Sequence, residues 1–158
     1  MIILGIDPGT ASMGWGVIKI KPKETPILRD HGVVKTKPDL VMPKRLQVLY
    51  TGINDVAKEH SPDIFVIEKL FFNTNAKTAM TVGQARGVSM LVAAHNDTEV
   101  VEYTALQVKK SLAGYGRASK KEMQEAVKEI LGLSMPIKPD DANDGIAMAL
   151  HHHYLINE

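Results

Sequence analysis

Four carboxylates at the ends of apolar segments are the residues of this chain best suited to chemistry. Asp7 lies near the end of an apolar, β-branched run, and Glu68 ends a second short apolar run. Asp141 and Asp144 are three residues apart, so they share one face of a helix. If the two strands are neighbours, the four side chains meet. Each like-charged pair at ~4 Å costs ~4 kcal/mol at an effective dielectric of 20, so the cluster persists only with divalent cations or with protonation.

Oxygen ligands of this kind indicate what the cluster would do. They select hard metal ions, Mg²⁺ or Mn²⁺. Two such ions ~3.5–4 Å apart activate a water and stabilise the leaving oxygen in phosphodiester hydrolysis. We therefore predict a metal-dependent nuclease whose metal ligands and catalytic residues are the same four carboxylates, Asp7, Glu68, Asp141 and Asp144.

Each carboxylate also has a structural interpretation. Asp7 opens an Asp-Pro-Gly turn, where Asp is common. Asp140 or Asp141 can cap the following helix, and for Asp140 we expect that role. For Asp141 and Asp144, the segment alone leaves metal binding and a favourable position at the positive end of the helix dipole equally open.

The elements that must position these residues follow from hydrophobic periodicity. The predicted fold is α/β, a mixed five-stranded sheet flanked by helices on both faces, because strands come first and then alternate with helices. Functional groups collect where the strands of such sheets end. Strands are predicted over residues 2–7, 14–20, 32–36, 64–68 and 98–103, and helices from Pro43 to Ala57 and over 76–94, about 104–112, 119–131 and 141–155.

Length and composition set further bounds. The 158 residues fit a single domain, 1–158, and 44% hydrophobic with 23% charged residues is ordinary globular usage. The absence of cysteine excludes disulfides and thiolate metal sites and fits a reducing compartment. No apolar run approaches the ~18 residues of a membrane span, and we expect no targeting signal. We expect a cytoplasmic protein that does not bind membranes.

Positive charge is concentrated in one segment although the net charge is only +1. Between Tyr103 and Lys121 there is no acidic residue, and the cations surround the sequence Gly114-Tyr115-Gly116. Such a block predicts a phosphate-binding surface; the alternative is a solvated helix face. The cations are Lys109, Lys110, Arg117, Lys120 and Lys121.

A series of short motifs carries a family resemblance over nearly the whole chain. They are LGIDPG from Leu4, Ile67-Glu68, GQARG from Gly83, Glu102-Tyr103, QVK from Gln107, Gly114-Tyr115-Gly116 and DAND from Asp141. In this order they resemble the RuvC Holliday junction resolvases from residue 2 to about residue 153. The resemblance implies an RNase H-like fold, a homodimer, and Mg²⁺-dependent symmetric incisions in two opposing strands of a four-way DNA junction during recombination and repair.

The resemblance also assigns roles to single residues. Asp7, Glu68, Asp141 and Asp144 match the family's acidic quartet, although Gly145-Ile146 follows where family members often have Ala-Leu. That glycine weakens helix propensity by ~1 kcal/mol. Lys109 and Lys120 are the candidates near the scissile phosphate, while Lys110 and Lys121 are more general. Arg117, from the same block of cations, is also a candidate DNA contact. Phe71 is the candidate for stacking on an unpaired base, with hydrophobic anchoring as the alternative for the pair Phe71-Phe72.

Three features stay open at the level of sequence. Ala79, Gly83 and Gly87 form a line of small residues suited to packing on the sheet or across a dimer axis. Arg86 can brace its helix or contact phosphate. The triplet His151–His153 suggests metal binding, but its place at a helix end has a simpler explanation in the dipole.

Two other functions remain as alternatives. RNase H-like folds also serve nucleases that act on other branched DNA or on RNA–DNA substrates, and fold alone does not separate them. The second alternative is a protein that binds junctions without cutting them. The four acidic residues argue against it, because they weaken DNA binding unless they hold a metal. A branch-migration motor is a further candidate partner, and the base preference at the cut site is not evident from the sequence.

Overall fold

The computed structural model describes residues 1–71 and 76–157. Within those ranges, two antiparallel hairpin connections come first and strands then alternate with helices, as predicted. The elements are β1 (Ile2–Asp7), β2 (Ser12–Lys19), β3 (Ile27–Lys35), α1 (Met42–His60), β4 (Ile64–Glu68), α2 (Ala76–His95), β5 (Glu99–Tyr103), α3 (Ala105–Ala113), α4 (Lys120–Ile130) and α5 (Asp140–Leu155).

The five strands form one mixed sheet in the order β3-β2-β1-β4-β5. β1 pairs with β2, and β2 with β3, in antiparallel fashion, whereas β1, β4 and β5 run parallel. β1 and β4 are therefore neighbours, and Ile6 pairs with Ile67. Asp7 and Glu68 consequently lie side by side at the ends of adjacent strands. The predicted cluster required that these two strands be neighbours.

Helices cover both faces of the sheet, which confirms the predicted architecture. On one face α1 and α2 pack over a core that includes Leu4, Ile53 and Phe65. On the other face α5 crosses β1 and β2, with α3 and α4 packed against it. Among the described helices, none combines the length and apolar character needed to cross a membrane.

Two glycines allow α5 to lie directly on the sheet. A Cβ atom on Gly145 would lie 2.7 Å from the Cα of Trp15, and one on Gly14 would overlap the carbonyl group of Asp141. No larger side chain fits at either position without moving the helix. The ~1 kcal/mol of helix propensity lost at Gly145 is thus offset by close packing that fixes the start of α5.

The third strand is longer than predicted. It begins at Ile27 instead of residue 32 and stays paired with β2 as far as Lys35. Arg29, Asp30 and His31 interrupt the apolar alternation, because β3 is an edge strand with limited burial. β2 likewise begins two residues earlier than predicted, at Ser12, while Pro43 lies in the first turn of α1 as expected.

Candidate active site

The predicted carboxylates converge at the edge of the sheet. Asp7, Asp141 and Asp144 each offer an oxygen, and these three atoms all lie within 4.8 Å of one another. Glu68 is outside that group of three but accepts a hydrogen bond from the Asp7 carboxyl across the β1–β4 pair. Four residues from β1, β4 and α5 therefore meet in one place.

Burial and mutual repulsion keep protons on this cluster. Burial is the largest cause that raises the pKa of Asp7 to about 8, and the negative charges of Glu68 and Asp144 add to it. Burial also raises the pKa of Asp144 to about 6, against the opposing effect of Lys120. Without a cation, protonation is what makes the cluster tolerable at neutral pH. The protonated Asp7 carboxyl then donates a hydrogen bond to the Glu68 carboxylate.

Lys109 and Lys120 lie beside the carboxylates. Burial raises the pKa of Glu68, while the hydrogen bond from Asp7 and the charge of Lys109 act in the opposite direction. Lys120 has the corresponding effect on Asp144. One cleft is lined by these two acids and two lysines, Glu68, Asp144, Lys109 and Lys120. Its apolar lining includes Val108, Met123, Ala147 and Met148. The cleft thus places a cation from the basic segment beside each of two acids.

Two capping boxes hold those lysines in place, a feature that the sequence analysis missed. Thr104 and Gln107 cap α3, which carries Lys109, through reciprocal hydrogen bonds of 3.2 and 2.8 Å. Ser119 and Glu122 cap α4 in the same way, with bonds of 3.2 and 2.6 Å. Since Lys120 is the first residue of α4, its cap fixes the lysine directly. The spacing of Ser/Thr and Glu/Gln three residues apart was the available signal.

The prediction that Asp140 caps α5 is wrong. The N-cap is Pro139, which makes no side-chain cap bond, and Asp140 is already the first residue of the helix. Its carboxylate instead accepts hydrogen bonds from Lys138 Nζ at 2.8 Å and Gln124 Nε2 at 2.9 Å. The bond from Lys138 is the main reason that the pKa of Asp140 lies below its usual value. Asp140 therefore links α5 to α4 beside the site.

Phe71 is exposed near the carboxylates. Its relative exposure is 68%, which does not fit a side chain anchored in a core. It lines a groove together with Leu70, Leu106 and Thr104, and Glu68 closes one side of that groove. Phe72 falls outside the described residues. Arg117 and Lys121 are also exposed.

Arg86 and the histidine triplet have structural contacts. Arg86 Nε donates to Glu102 Oε1 at 2.6 Å, so this arginine braces α2 against β5. The ring of His151 meets that of Tyr103 edge-on, with 4.5 Å between centroids, and His152 Nδ1 lies 2.8 Å from the Tyr103 hydroxyl. Neither group of potential metal ligands found in residues 1–71 and 76–157 includes the triplet. His151 and His152 pack against Tyr103 of β5, and His153 hydrogen-bonds to Asn157.

Comparison with known proteins agrees with this geometry. The model of the crossover junction endodeoxyribonuclease RuvC family matches residues 3–152. The chain belongs to the RuvC family. A RuvC crossover junction endodeoxyribonuclease from Rubrobacter xylanophilus is 47% identical over 153 residues, which cover 97% of this chain and 85% of the relative.

Solved RuvC structures share the fold along almost the whole chain. The structure of Thermus thermophilus RuvC superposes with a TM-score of 0.90 at 32% identity, covering 99% of this chain and 95% of the other. T. thermophilus RuvC in complex with a Holliday junction substrate gives a TM-score of 0.92 at the same identity and coverage. The RNase H-like RuvC fold is thereby confirmed, and the matched range contains both the acidic cluster and the basic segment.

Proposed function

We propose that this protein is an endodeoxyribonuclease that resolves four-way DNA junctions by symmetric, metal-dependent hydrolysis of phosphodiester bonds in two opposing strands. The observation that carries the proposal is the convergence of Asp7, Asp141 and Asp144 beside Lys109 and Lys120 in a RuvC-family chain. The T. thermophilus RuvC in the comparison is described with a Holliday junction as its substrate. Recombination and DNA repair supply such junctions.

The donor set fits Mg²⁺. Three carboxylate oxygens within 4.8 Å, two of them on groups with raised pKa values, form a site that needs either protons or cations. All-oxygen sets favour hard divalent ions. Asp7, Glu68, Asp141 and Asp144 would hold Mg²⁺, two ions per site, with Mn²⁺ able to substitute. When bound, the metal supplies an activated water and stabilises the charge that develops on the cleaved phosphate.

The chain's own residues bring the scissile phosphate to that point. An anionic backbone is repelled by four carboxylates, and Lys109 and Lys120 offset this repulsion because each lies next to one acid of the cluster. Ion pairs act more strongly in a partly buried cleft than in bulk water. Arg117 and Lys121, exposed further along the same segment, would contact neighbouring phosphates without reading the base sequence.

Phe71 is suited to the centre of the junction. An exposed ring beside an apolar groove can stack on a base that has lost its partner, which is worth ~1–3 kcal/mol. Substitution of Phe71 by Ala should therefore weaken binding of a four-way junction about 5- to 150-fold, while binding of a linear duplex changes little. Equal losses on both DNAs would argue against stacking at the junction.

Two opposed incisions require two active sites, which a two-fold dimer provides. Helix α2 offers a surface for it. Met80 and Leu91 are 70% and 48% exposed on this helix, and a Cβ on Gly87 would meet no atom within 4 Å. The small-residue line thus leaves Gly87 free for a second copy. Leu91→Glu should shift the protein from dimer to monomer in light scattering and abolish paired incisions. A branch-migration motor stays a predicted partner.

The deciding experiment is cleavage of an end-labelled, immobile four-way junction with Mg²⁺ or EDTA. A linear duplex and an RNA–DNA hybrid are tested alongside, together with the Asp7→Asn variant. We expect paired symmetric nicks in the junction alone, only with Mg²⁺ and not with the variant. Preferred cleavage of the hybrid or the duplex would favour another RNase H-like nuclease. Tight binding without nicks across several junction sequences would favour a non-catalytic junction-binding protein.

A further inference from the structure

A second group of basic residues lies where β3 leads into α1, and none of the roles above uses it. Residues 35–45 contain four cations and one acid, Asp39. No ion pair joins any of these cations to a residue of the described ranges. We call Lys35, Lys37, Lys44 and Arg45 the β3–α1 patch; its three lysines are exposed.

Sheet order places this patch beside the carboxylates, on the side away from Lys109. Asp7 pairs with Gly14 in β2, and Lys35 pairs with Ser12 of the same strand. Neighbouring strands are ~4.8 Å apart, so the end of β3 lies roughly 10 Å from the end of β1. That distance corresponds to about three base pairs along a duplex at 3.4 Å each. Glu68, with Lys109 beside it, is on β4, which lies on the other side of β1 from β2 and β3.

Hydrogen bonds tie the patch to the turn that follows Asp7. The amide of Thr36 donates to the carbonyl of Ala11 at 3.0 Å, and its hydroxyl donates to the carbonyl of Thr10. Arg45 Nε in turn donates to that hydroxyl oxygen at 2.8 Å. Thr36 itself is buried. The patch is thus held at a set position relative to the acidic cluster, as a surface that positions substrate requires.

The charges within the patch point to an anionic partner. Lys44 and Arg45 lie in the first turn of α1, which holds no acidic residue. Cations near that end of a helix are disfavoured by its dipole, and the neighbouring Lys35 and Lys37 add repulsion. A nucleic acid backbone would relieve both. Lysines on a surface bind phosphates as point charges and carry no sequence preference.

We infer that the β3–α1 patch binds the sugar–phosphate backbone of the duplex arm adjoining the cut strand. This inference rests on the proposed function, since the arm belongs to a four-way junction. With Lys109 beside Glu68 on the β4 side of β1, the DNA backbone is held on both sides of the acidic cluster. The patch therefore contributes to binding and to the position of the arm, and takes no part in bond cleavage.

The test compares two triple variants with the same change in charge. Lys35→Gln, Lys37→Gln and Lys44→Gln are combined; Arg45 is kept because it also holds Thr36. The control combines Lys21→Gln, Lys23→Gln and Lys58→Gln, which lie at the opposite end of the sheet and are exposed. Single-turnover cleavage of a labelled junction is titrated with protein at several salt concentrations, and binding of the same DNA is measured in parallel.

For the patch variant we expect the protein concentration at half-maximal cleavage to rise about 10-fold or more at 0.1 M salt. The slope of log affinity against log salt should fall by about 2–3, given ~0.9 per phosphate contact. The cleavage rate at saturation should stay within twofold, and the control variant should match the wild type throughout.

Other outcomes overturn the inference in recognisable ways. An unchanged salt slope, equal losses in both triple variants, or a lower rate at saturation with unchanged affinity would each do so while the proposed function stands. Failure of the wild type to cut junctions would instead refute the proposed function. In that case the parallel binding titration still decides whether the patch contacts DNA.

Discussion

The acidic cluster and the basic surfaces around it are built in opposite ways. The carboxylates lie on β1, β4 and α5, partly buried and fixed by core packing on both faces of the sheet. Except for the half-buried Lys109 and Arg45, the cations lie exposed at the ends of helices and strands or in loops, held by capping boxes or a few hydrogen bonds. Changes in the cluster should therefore alter catalysis and stability, whereas changes in the basic surfaces should alter DNA binding.

The largest effect is expected for Asp7→Asn. Removal of a carboxylate at the centre of the cluster should lower the rate of junction cleavage on the order of 10³-fold or more, since loss of a residue that only orients a metal ligand already costs roughly 10–100-fold. Junction affinity should stay within a few-fold, because binding rests on the cations. Gel-shift and single-turnover assays measure the two quantities separately. Cleavage near the wild-type rate would remove Asp7 from the proposed set of ligands.

The next effect concerns pH and the stability of the metal-free protein. The folded state holds a proton on Asp7 up to a pKa of about 8, whereas the unfolded chain loses it near 3.8. Folding therefore binds a proton between these values, and the free energy of unfolding falls as pH rises through this window. We expect a loss on the order of 3 kcal/mol between pH 5 and pH 8.5 in EDTA.

Denaturant titrations across that range measure the loss. Asp144, with its pKa raised to about 6, should contribute in the lower part of the window. Asp7→Asn should flatten the curve, and Mg²⁺ should restore stability at high pH if the cluster binds it. A wild-type curve that rises with pH in EDTA would contradict the protonated state of the cluster.

A smaller effect separates close packing from simple helix propensity. Gly14→Ala should destabilise the protein by about 1–3 kcal/mol, because the added methyl group overlaps the carbonyl of Asp141 and displaces α5. Cleavage should fall with it, since Asp141 moves. Gly83→Ala is the matched control: its Cβ would meet only the end of Leu70 at 3.6 Å, and helix propensity favours the change by up to ~1 kcal/mol. Equal effects of the two substitutions on unfolding would refute the packing explanation.

The same contrast explains what the sequence could predict. Apolar runs ending in Asp7 and Glu68 marked β1 and β4, and the spacing of Asp141 and Asp144 marked one helix face, so the cluster was predictable from local patterns. The start of β3 was not predictable, because the polar residues of this edge strand interrupt the apolar alternation that indicates a strand. Nor was the role of Asp140, whose partners Lys138 and Gln124 come from other elements. The position of the β3–α1 patch depends on the hydrogen bonds that Thr36 makes to the turn after Asp7. Contacts between separate segments of this kind leave no local sequence pattern.

The smallest expected effect tests whether the position of Lys120 depends on the capping box of α4. Ser119→Ala removes the side chain that accepts from the Glu122 amide, which should cost about 1 kcal/mol and lower the midpoint of thermal unfolding by roughly 2–4 °C. Lys120 follows directly in the chain, so fraying of this turn should also weaken junction binding a few-fold while the carboxylates stay in place. Ser119→Asn retains an uncharged capping oxygen and should behave as the wild type in both assays. If Ala and Asn at this position bind junctions equally well, Lys120 holds its place without the cap, and this part of the basic segment is more rigid than its exposure indicates.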